Sequence, residues 1–436
     1  MVDELQHSSR QSAKQPPAVR HGKQKRRNSW SLPAKSVLTV LTVAAVAMVS
    51  TVAYASWDLA NSTKAGITLG NEKSIAGLSI GAIPGGVNLL LVGIDKRPAD
   101  GAFGDPEVDS GVLNDVTMLL HIAADHKSAS VVSFPRDMLV SIPECTDSDG
   151  NSTSAMSSQK INTTYSVGGL ACTVKSVEKL TGLTIPFAAE VEFYGVVGLS
   201  NAVGGVNVCV ADEIQDEYTG TFLSAGEHTL QGMEALQFLR TRHGVGDGSD
   251  LGRISNQQVF MSALVRKLTA DGTLDNLATL YSIAKTALSN MQLSNSLRDV
   301  GRLVSIALAL KGIPLENVTF VQYPTVYVQG GGAVQPEPVA ASVLNTALQN
   351  DQRLTLGGEA GQGAVVDQAQ TESQKANEAT QTSSAAPSTG ASASPSASST
   401  PSAGATDGST VTLPNNVTGT TAQTVTCSKG RSLSDQ

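Results

Sequence analysis

The chain lacks the positive charge that a nucleic-acid binder needs: its 436 residues carry 30 lysines and arginines against 38 acids, a formal net charge of −8. Phosphate-backbone affinity requires a basic face on the folded domain, so no nucleic-acid partner is expected. Zinc and thiol-redox signatures are missing too, since no Cys-x-x-Cys pair, no His-Glu-x-x-His and no paired histidines occur. The glycine-rich stretch Gly244-Val-Gly246-Asp-Gly248 is not followed by Lys-Ser or Lys-Thr, so it is no P-loop. There is neither an internal repeat nor a helix-turn-helix pattern.

The basicity that exists is local. Arg20, Lys23, Lys25, Arg26, Arg27 and Lys35 precede a run from Ser36 to Trp57 without a charged residue. Its roughly twenty apolar and small residues match the length a helix needs to cross a ~30 Å hydrocarbon core. Residues 1–35 thus read as a basic cytoplasmic tail and 36–57 as a transmembrane helix, with everything beyond Trp57 outside the cell by the positive-inside bias. The competing reading is a signal peptide cleaved after Ala53-Tyr54-Ala55, although such apolar cores usually run only ~7–15 residues. Either way the domain is exported; the expected location is the cell membrane, single-pass. Cys145, Cys172, Cys209 and Cys427 agree with export, because an even count in an oxidising compartment reads as disulfides. The three possible pairings stay open.

Residues 58–86 are polar, glycine-bearing and weakly periodic, a spacer lifting a domain off the membrane. The folded domain is expected at 87–356. Val87 to Ile94, Val116 to Ile122 and Ala129 to Phe134 are nearly continuous apolar runs that suit strands buried on both faces, the last ended by Pro135. Further strands are expected at Ala188 to Val191, Val206 to Val210 and Asn317 to Gln322. Helical periodicity appears at Cys172 to Leu180, Tyr194 to Val203, Arg253 to Leu268 and within Leu274 to Leu310. This alternation predicts an α/β fold, a three-layer α/β/α sandwich around a mostly buried sheet. Residues 357–436 read as a tail, disordered where Ser, Ala, Thr, Gly and Pro dominate from Gln370 to Ser409. Its less biased end, Val411 to Gln436, carries Cys427 and could dock back through a disulfide.

Candidate chemistry gathers where the strands stop. Asp95 follows the first strand and Asp115 precedes the second, and loops at strand ends build the ligand crevice of an α/β sheet. Two such acids can share a hard cation such as Mg²⁺; alone, acids in loops are usually solvated. Arg97 lies two residues past Asp95, and Arg136 follows Pro135 with Asp137 beside it. Arg240-Thr-Arg242 is expected to put two guanidiniums on one side of an extended segment. Asp250, Arg253 and Gln257 then open a helix, Arg253 and Gln257 four apart on one face and Ile254, Met261, Val265 and Leu268 forming the buried stripe. That helix start also offers N–H groups to an anion. One arginine is usually a surface ion pair, but a converging set beside two acids suits a metal-bound polyphosphate. His121 and His243 read as structural or surface residues.

Five blocks carry a family resemblance: Gly93-Ile-Asp95-x-Arg97, Asn114-Asp115-Val-Thr117, Ser133-Phe-Pro-Arg136-Asp137, Lys160-Ile-Asn162, and Arg240-x-Arg242 with Asp250-x-x-Arg253 and Gln257-Gln258. In order and register they resemble the LytR-CpsA-Psr phosphotransferases over Val87 to Leu268, and the cysteines and the 240–253 segment resemble the actinobacterial branch. The resemblance implies Asp95 and Asp115 as the pair holding Mg²⁺ (or Mn²⁺), and Arg97, Arg136, Arg240, Arg242 and Arg253 as the pyrophosphate cradle, with Gln257 beside it. It implies Arg136, Asp137, Arg240 and Asp250 as catalytic, with Asp250 or Asp137 receiving the proton. The implied activity moves a phosphorylated glycan from a polyprenyl-pyrophosphate carrier to peptidoglycan or another envelope acceptor. An apolar slot would hold the lipid, with Phe193, Val196, Val197, Leu199 and Val203 as candidate lining. A hydrolase acting on the same donor and a non-catalytic membrane-tethered regulator are the alternatives. Many members carry an arginine where this chain has Asn256, so phosphate grip or acceptor preference is expected to differ.

Overall fold

The computed structural model describes residues 58, 64–70, 86–98, 100–103, 112–147, 150–270, 276–384 and 410–436. The basic tail at 1–35, the apolar segment at 36–57 and residues 385–409 of the low-complexity stretch lie outside them; the first part of that stretch, expected from Gln370 to be disordered, is helical within Gln368–Ser384. No helix among the described residues is long and apolar enough to cross a membrane.

Eleven strands build two sheets: β1 (Val87–Ile94), β2 (Asn114–Ile122), β3 (Ala129–Phe134), β4 (Phe187–Val191), β5 (Val206–Val210), β6 (Gly226–Leu230), β7 (Met291–Leu293), β8 (Val318–Gln322), β9 (Ala364–Val366), β10 (Gly419–Thr421) and β11 (Thr426–Ser428). The helices among the described residues that accompany them are α1 (Thr164–Thr181), α2 (Phe193–Ala202), α3 (Met233–Arg240), α4 (Asp250–Thr269), α5 (Leu277–Asn290), α6 (Val300–Lys311), α7 (Pro338–Gln349) and α8 (Gln368–Ser384). The fold is mixed α/β. Seven strands form the main sheet in the order β7-β4-β1-β2-β3-β8-β10. Only the β1–β4 and β3–β8 pairs are parallel. Alternation along each strand divides the apolar side chains between two cores. Leu90, Val92, Leu119 and Val132 pack under Leu170 and Val174 of α1 and Leu344 of α7. Met118, Val131, Ala189 and Phe320 pack under Val265 of α4, Leu288 of α5 and Ile306 of α6.

The predicted strands lie within two residues of the observed ones, but β5 belongs to a separate four-stranded sheet, β6-β5-β11-β9. The helical region expected within 274–310 is split by β7, an edge strand antiparallel to β4. The domain also begins and ends outside 87–356. Within the expected spacer, Leu69 is buried in the first core and Ile67 bridges to Ser294. From the expected tail, β10 extends the main sheet beside β8, and β11 lies between β5 and β9. The end expected to dock back through Cys427 does so: the segment past 409 adds one strand to the edge of the main sheet and another between β5 and β9.

The cysteines pair as Cys145–Cys172 and Cys209–Cys427. The first ties the hairpin at 145–153 to α1, and the second ties β5 to β11. Because the second link spans 218 residues and the first 27, loop-closure entropy favours the second. Replacing Cys209 and Cys427 by serine is expected to lower unfolding free energy by about 3–5 kcal/mol, more than the same change at Cys145 and Cys172. Denaturant unfolding of both double variants measures this, and an equal loss would show that loop length does not govern the effect.

Candidate active site

The site begins with an irregularity in the β1–β2 ladder. Gly93 pairs with Val116 and Ile94 with Asn114, so Asp115 is the extra residue of a bulge. A bulge re-aims a side chain, and this one turns Asp115 toward the sheet edge where Asp95 leaves β1. Gly93 permits the approach, since a Cβ there would sit 3.0 Å from that of Val116. The Asp95 carboxylate is held by the Leu113 N–H, which donates to Oδ1 at 2.8 Å.

Arg136 arrives at the same edge from the end of β3. Its Nη1 donates to Asp115 Oδ1 at 2.9 Å, and its backbone N–H donates to Asp250 Oδ2 at 3.0 Å. Arg253, one turn into α4, reaches Asp250 Oδ1 at 2.6 Å and donates to the Asp115 carbonyl at 2.8 Å. Burial alone would weaken the charge on Arg136, but Asp115, Asp250 and Asp137 outweigh it and raise its pKa. The Nε atoms of Arg136 and Arg253 are buried without a hydrogen-bond partner. Buried donors of this kind are costly unless something accepts from them, and a bound anion would.

Lys160 grips Asp137 Oδ1 at 2.6 Å, and the Asn162 N–H donates to the Arg136 carbonyl at 3.2 Å. The Lys160-Ile-Asn162 block therefore fixes the turn that presents Arg136. Asn114 secures the other side, its amide donating to the Ile161 carbonyl at 3.2 Å.

A cavity of about 540 Å³ opens from this edge into the space between the main sheet and α2, α3, α4 and α5. Asp95, Asp115, Arg136, Arg240, Arg242, Arg253 and Gln257 line its polar end. Its body is apolar, with Phe193, Val196, Leu199 and Val203 as expected, joined by Leu239, Met261, Leu264 and Leu268. Val197 is not among the lining residues, because one residue's step turns it about 100° round α2 from Val196. Met261 and Leu268 face this cavity instead of closing a buried stripe. Asp137 and Asp250 line an adjoining cleft that shares Arg136 and Arg242 with the cavity. Arg97 lines neither, though it is near enough to disfavour the charge on Arg240.

Arg240 is the last residue of α3 and not part of an extended segment, so it sits where a helix C-terminus favours a cation. It lines the cavity, and its guanidinium stacks over Phe193, 4.4 Å from the ring centre. Burial lowers its pKa, Asp115 opposes this, and Arg253 and Arg97 add to it. An anion entering the cavity would relieve that crowding of like charges. At the N-terminus of α4 the Ser249 side chain accepts from the Gly252 N–H, so that one donor is already taken. Asn256 is no cavity residue. It is fully buried, donates to the Phe238 carbonyl at 2.8 Å and accepts from the Ser428 hydroxyl, so it joins α3, α4 and β11 and leaves phosphate grip to others.

Two contributors escaped sequence reasoning. Asp216 is buried and collects the segment bearing Arg242: Oδ2 accepts from the Thr241 hydroxyl at 2.7 Å and the Arg242 N–H at 3.0 Å. Only its position before the turn at 217–220 hinted at this. His243, read as structural or surface, lines the cavity and stacks on Tyr218 at 4.5 Å. His121 is structural as expected, buried with Nδ1 2.8 Å from Asn88 Oδ1.

As for a metal, Asp95 and Asp115 come from adjacent strands to one end of one cavity and offer hard oxygen donors. That donor set suits Mg²⁺, which takes one or two carboxylates and completes its shell with water and substrate phosphate.

Fold and site together define an α/β protein whose apolar cavity ends on a cluster of guanidiniums and carboxylates. The chain belongs to the LytR_cpsA_psr family, whose model matches residues 52–350. It is 30% identical over 297 residues to the cell wall biosynthesis protein LcpA of Corynebacterium glutamicum, an alignment covering 61% of this chain and 56% of that one. To the polyisoprenyl-teichoic acid–peptidoglycan teichoic acid transferase TagT of Bacillus subtilis it is 28% identical over 242 residues, 54% of this chain and 68% of that one. The chain thus spans less than two thirds of the LcpA relative. Its fold matches that of protein gbs0355 from Streptococcus agalactiae with a TM-score of 0.50 and 19% identity, covering 61% of this chain and 88% of that one.

Asp216 yields a pH prediction. Burial raises its pKa, but the Thr241 hydroxyl and the N–H groups of Arg242, Thr219 and Gly244 prevail and leave it below the ordinary value of 3.8. Its stabilising contribution is therefore complete above 3.8 and is lost as pH falls below that through the depressed native value. Asp216→Asn is expected to cost at least about 2 kcal/mol at neutral pH, shrinking below pH 3.8. Paired denaturation curves against pH test this, and a pH-independent difference would refute it.

Proposed function

We propose that this protein transfers a phosphorylated glycan from a polyprenyl-pyrophosphate carrier to an envelope acceptor such as peptidoglycan, releasing polyprenyl phosphate. The observation that carries this reading is the apolar cavity ending on Arg136, Arg240, Arg242 and Arg253, which suits a molecule that is isoprenoid at one end and diphosphate at the next. The printed names of LcpA and TagT, cell wall biosynthesis and teichoic acid transfer to peptidoglycan, support the same class.

In this reading the lipid enters between α2, α4 and the sheet, and the arginines hold the diphosphate bidentately. An acceptor hydroxyl attacks the glycan-linked phosphorus; the new P–O bond forms as the P–O bond to polyprenyl phosphate breaks, and the leaving phosphate takes the electron pair. Asp250 or Asp137 receives the hydroxyl proton. Asp95 and Asp115 would hold Mg²⁺ (or Mn²⁺), which when bound neutralises charge on the phosphate oxygens. The guanidiniums act the same way where charge builds on the departing group, and such placement carries most catalysis of this type. The apolar segment at 36–57 anchors an extracytoplasmic α/β/α domain to the membrane, beside its lipid substrate.

Asp115→Ala and Arg136→Ala are expected to lower transfer at least about 100-fold when labelled lipid-linked glycan is supplied with peptidoglycan. Glycan release that does not depend on acceptor would make the protein a hydrolase, and undiminished attachment by both variants would leave it a binding protein. Filling the cavity with Val196→Trp is expected to reduce the polyprenyl phosphate that copurifies with the detergent-solubilised chain, read by mass spectrometry. Unchanged lipid content would place the isoprenoid elsewhere.

A further inference from the structure

The cleft beside the cavity has chemistry of its own. Its volume is about 370 Å³, and it meets the apolar cavity only through Arg136 and Arg242. A molecule seated there lies against two residues that also line the cavity. Asp137, Lys160, Ser249 and Asp250 supply acceptors and donors of hydrogen bonds along its wall. Such mixed polarity suits a neutral compound rich in hydroxyl groups better than an ion of either sign.

One wall comes from a hairpin that no motif marks. Thr325–Tyr327 pairs antiparallel with Val334–Pro336. The hairpin is registered to the active-site turn, since Val334 bridges Met138 and its N–H donates to the Asp137 carbonyl at 3.2 Å. Tyr327 is 59% exposed and lines the cleft. An exposed aromatic ring beside hydrogen-bonding groups is what a sugar needs, because its C–H face packs on the ring while its hydroxyls reach the polar wall. At the tip, Gly330, Gly331 and Gly332 all have positive φ, and an added Cβ on any of them would meet open space. Backbone conformation and not crowding therefore selects glycine there, leaving the tip free to adjust to what lies below.

We propose that this cleft is the acceptor subsite, that it takes the sugar rings of a polyhydroxylated envelope glycan, and that Tyr327 is the stacking residue that selects them. The inference rests on the transfer reading above for the fate of the bound sugar, but not for its binding. The subsite orients one sugar hydroxyl toward the phosphorus held by Arg136 and Arg242, with Asp137 and Asp250 beside the proton to be removed.

The test separates binding from turnover. Soluble uncrosslinked peptidoglycan strands are titrated into the detergent-solubilised full chain and their affinity measured directly, with polyprenyl phosphate affinity measured in parallel. Tyr327→Ala is expected to weaken strand binding about tenfold with polyprenyl phosphate binding within about twofold of the parent, and Tyr327→Trp to restore it. In transfer assays the loss should fall on KM for the acceptor and not on kcat. Strand affinity unaltered by Tyr327→Ala, or a loss confined to polyprenyl phosphate, overturns the subsite. Tyrosine-dependent strand binding without any transfer supports the subsite and defeats only the transfer reading.

Discussion

Asp115, Arg136, Asp250 and Arg253 form a chain of alternating charge at the edge of the main sheet, and the candidate site depends on it. Asp250 and Arg253 are each only 7% exposed in their side chains, so neither is well solvated alone. Removing one member of a buried pair leaves an uncompensated charge at a cost of about 3–5 kcal/mol, far more than a surface pair contributes. The network couples three elements: the β2 bulge through Asp115, the turn after β3 through Arg136, and the first turn of α4 through Asp250 and Arg253. Position and charge are thus fixed by the same contacts. The carboxylates that hold Arg136 and Arg253 thus also fix the polar end of the cavity that these arginines line.

A second constraint comes from far along the chain. Gly246 donates to the Lys429 carbonyl at 2.9 Å and Arg431 to the Gly244 carbonyl at 2.8 Å, while Val245 bridges Gly430. The segment that follows strand β11 therefore supports the glycine-rich loop between Arg242 and Asp250. Asp216 holds the start of that loop and Ser249 caps the helix at its end. A loop with three glycines has much backbone entropy to lose, and these fastenings remove the need to lose it when a ligand arrives. The Cys209–Cys427 link keeps the supporting strand beside β5 despite the long low-complexity stretch before it.

Local signals made the central strands, most helices and the strand-end acids readable in advance, because burial periodicity and proline punctuation act over a few residues. Nine of the ten site residues singled out from sequence, all but Arg97, line the cavity or its adjoining cleft. What escaped was set by distant partners. Arg240 ends a short helix whose amphipathic pattern, Ala235, Leu236 and Phe238 buried, spans barely two turns. Asn256 occupies a position read as a site residue by family analogy, yet its partners are Phe238 and Ser428. Asp216 becomes important only when the chain brings residues 241–244 back over it, and β10 and β11 are strands only because an edge awaits them.

The arrangement of the two openings follows from what the reaction must keep apart. An isoprenoid needs an apolar enclosure and a glycan needs water-like hydrogen bonding, and no single pocket serves both. Here the boundary falls on Arg136 and Arg242, the residues common to both spaces. Guanidinium suits that boundary because its faces tolerate apolar contact while its edge binds oxygen, as Arg240 against Phe193 illustrates. In the proposed complex, lipid on one side and sugar on the other would displace water from around the phosphorus. Electrostatic attraction between the arginines and the phosphate then strengthens, since it acts through a medium of lower dielectric. Competition from water as nucleophile would fall by the same exclusion, which in the proposed reaction favours transfer over hydrolysis.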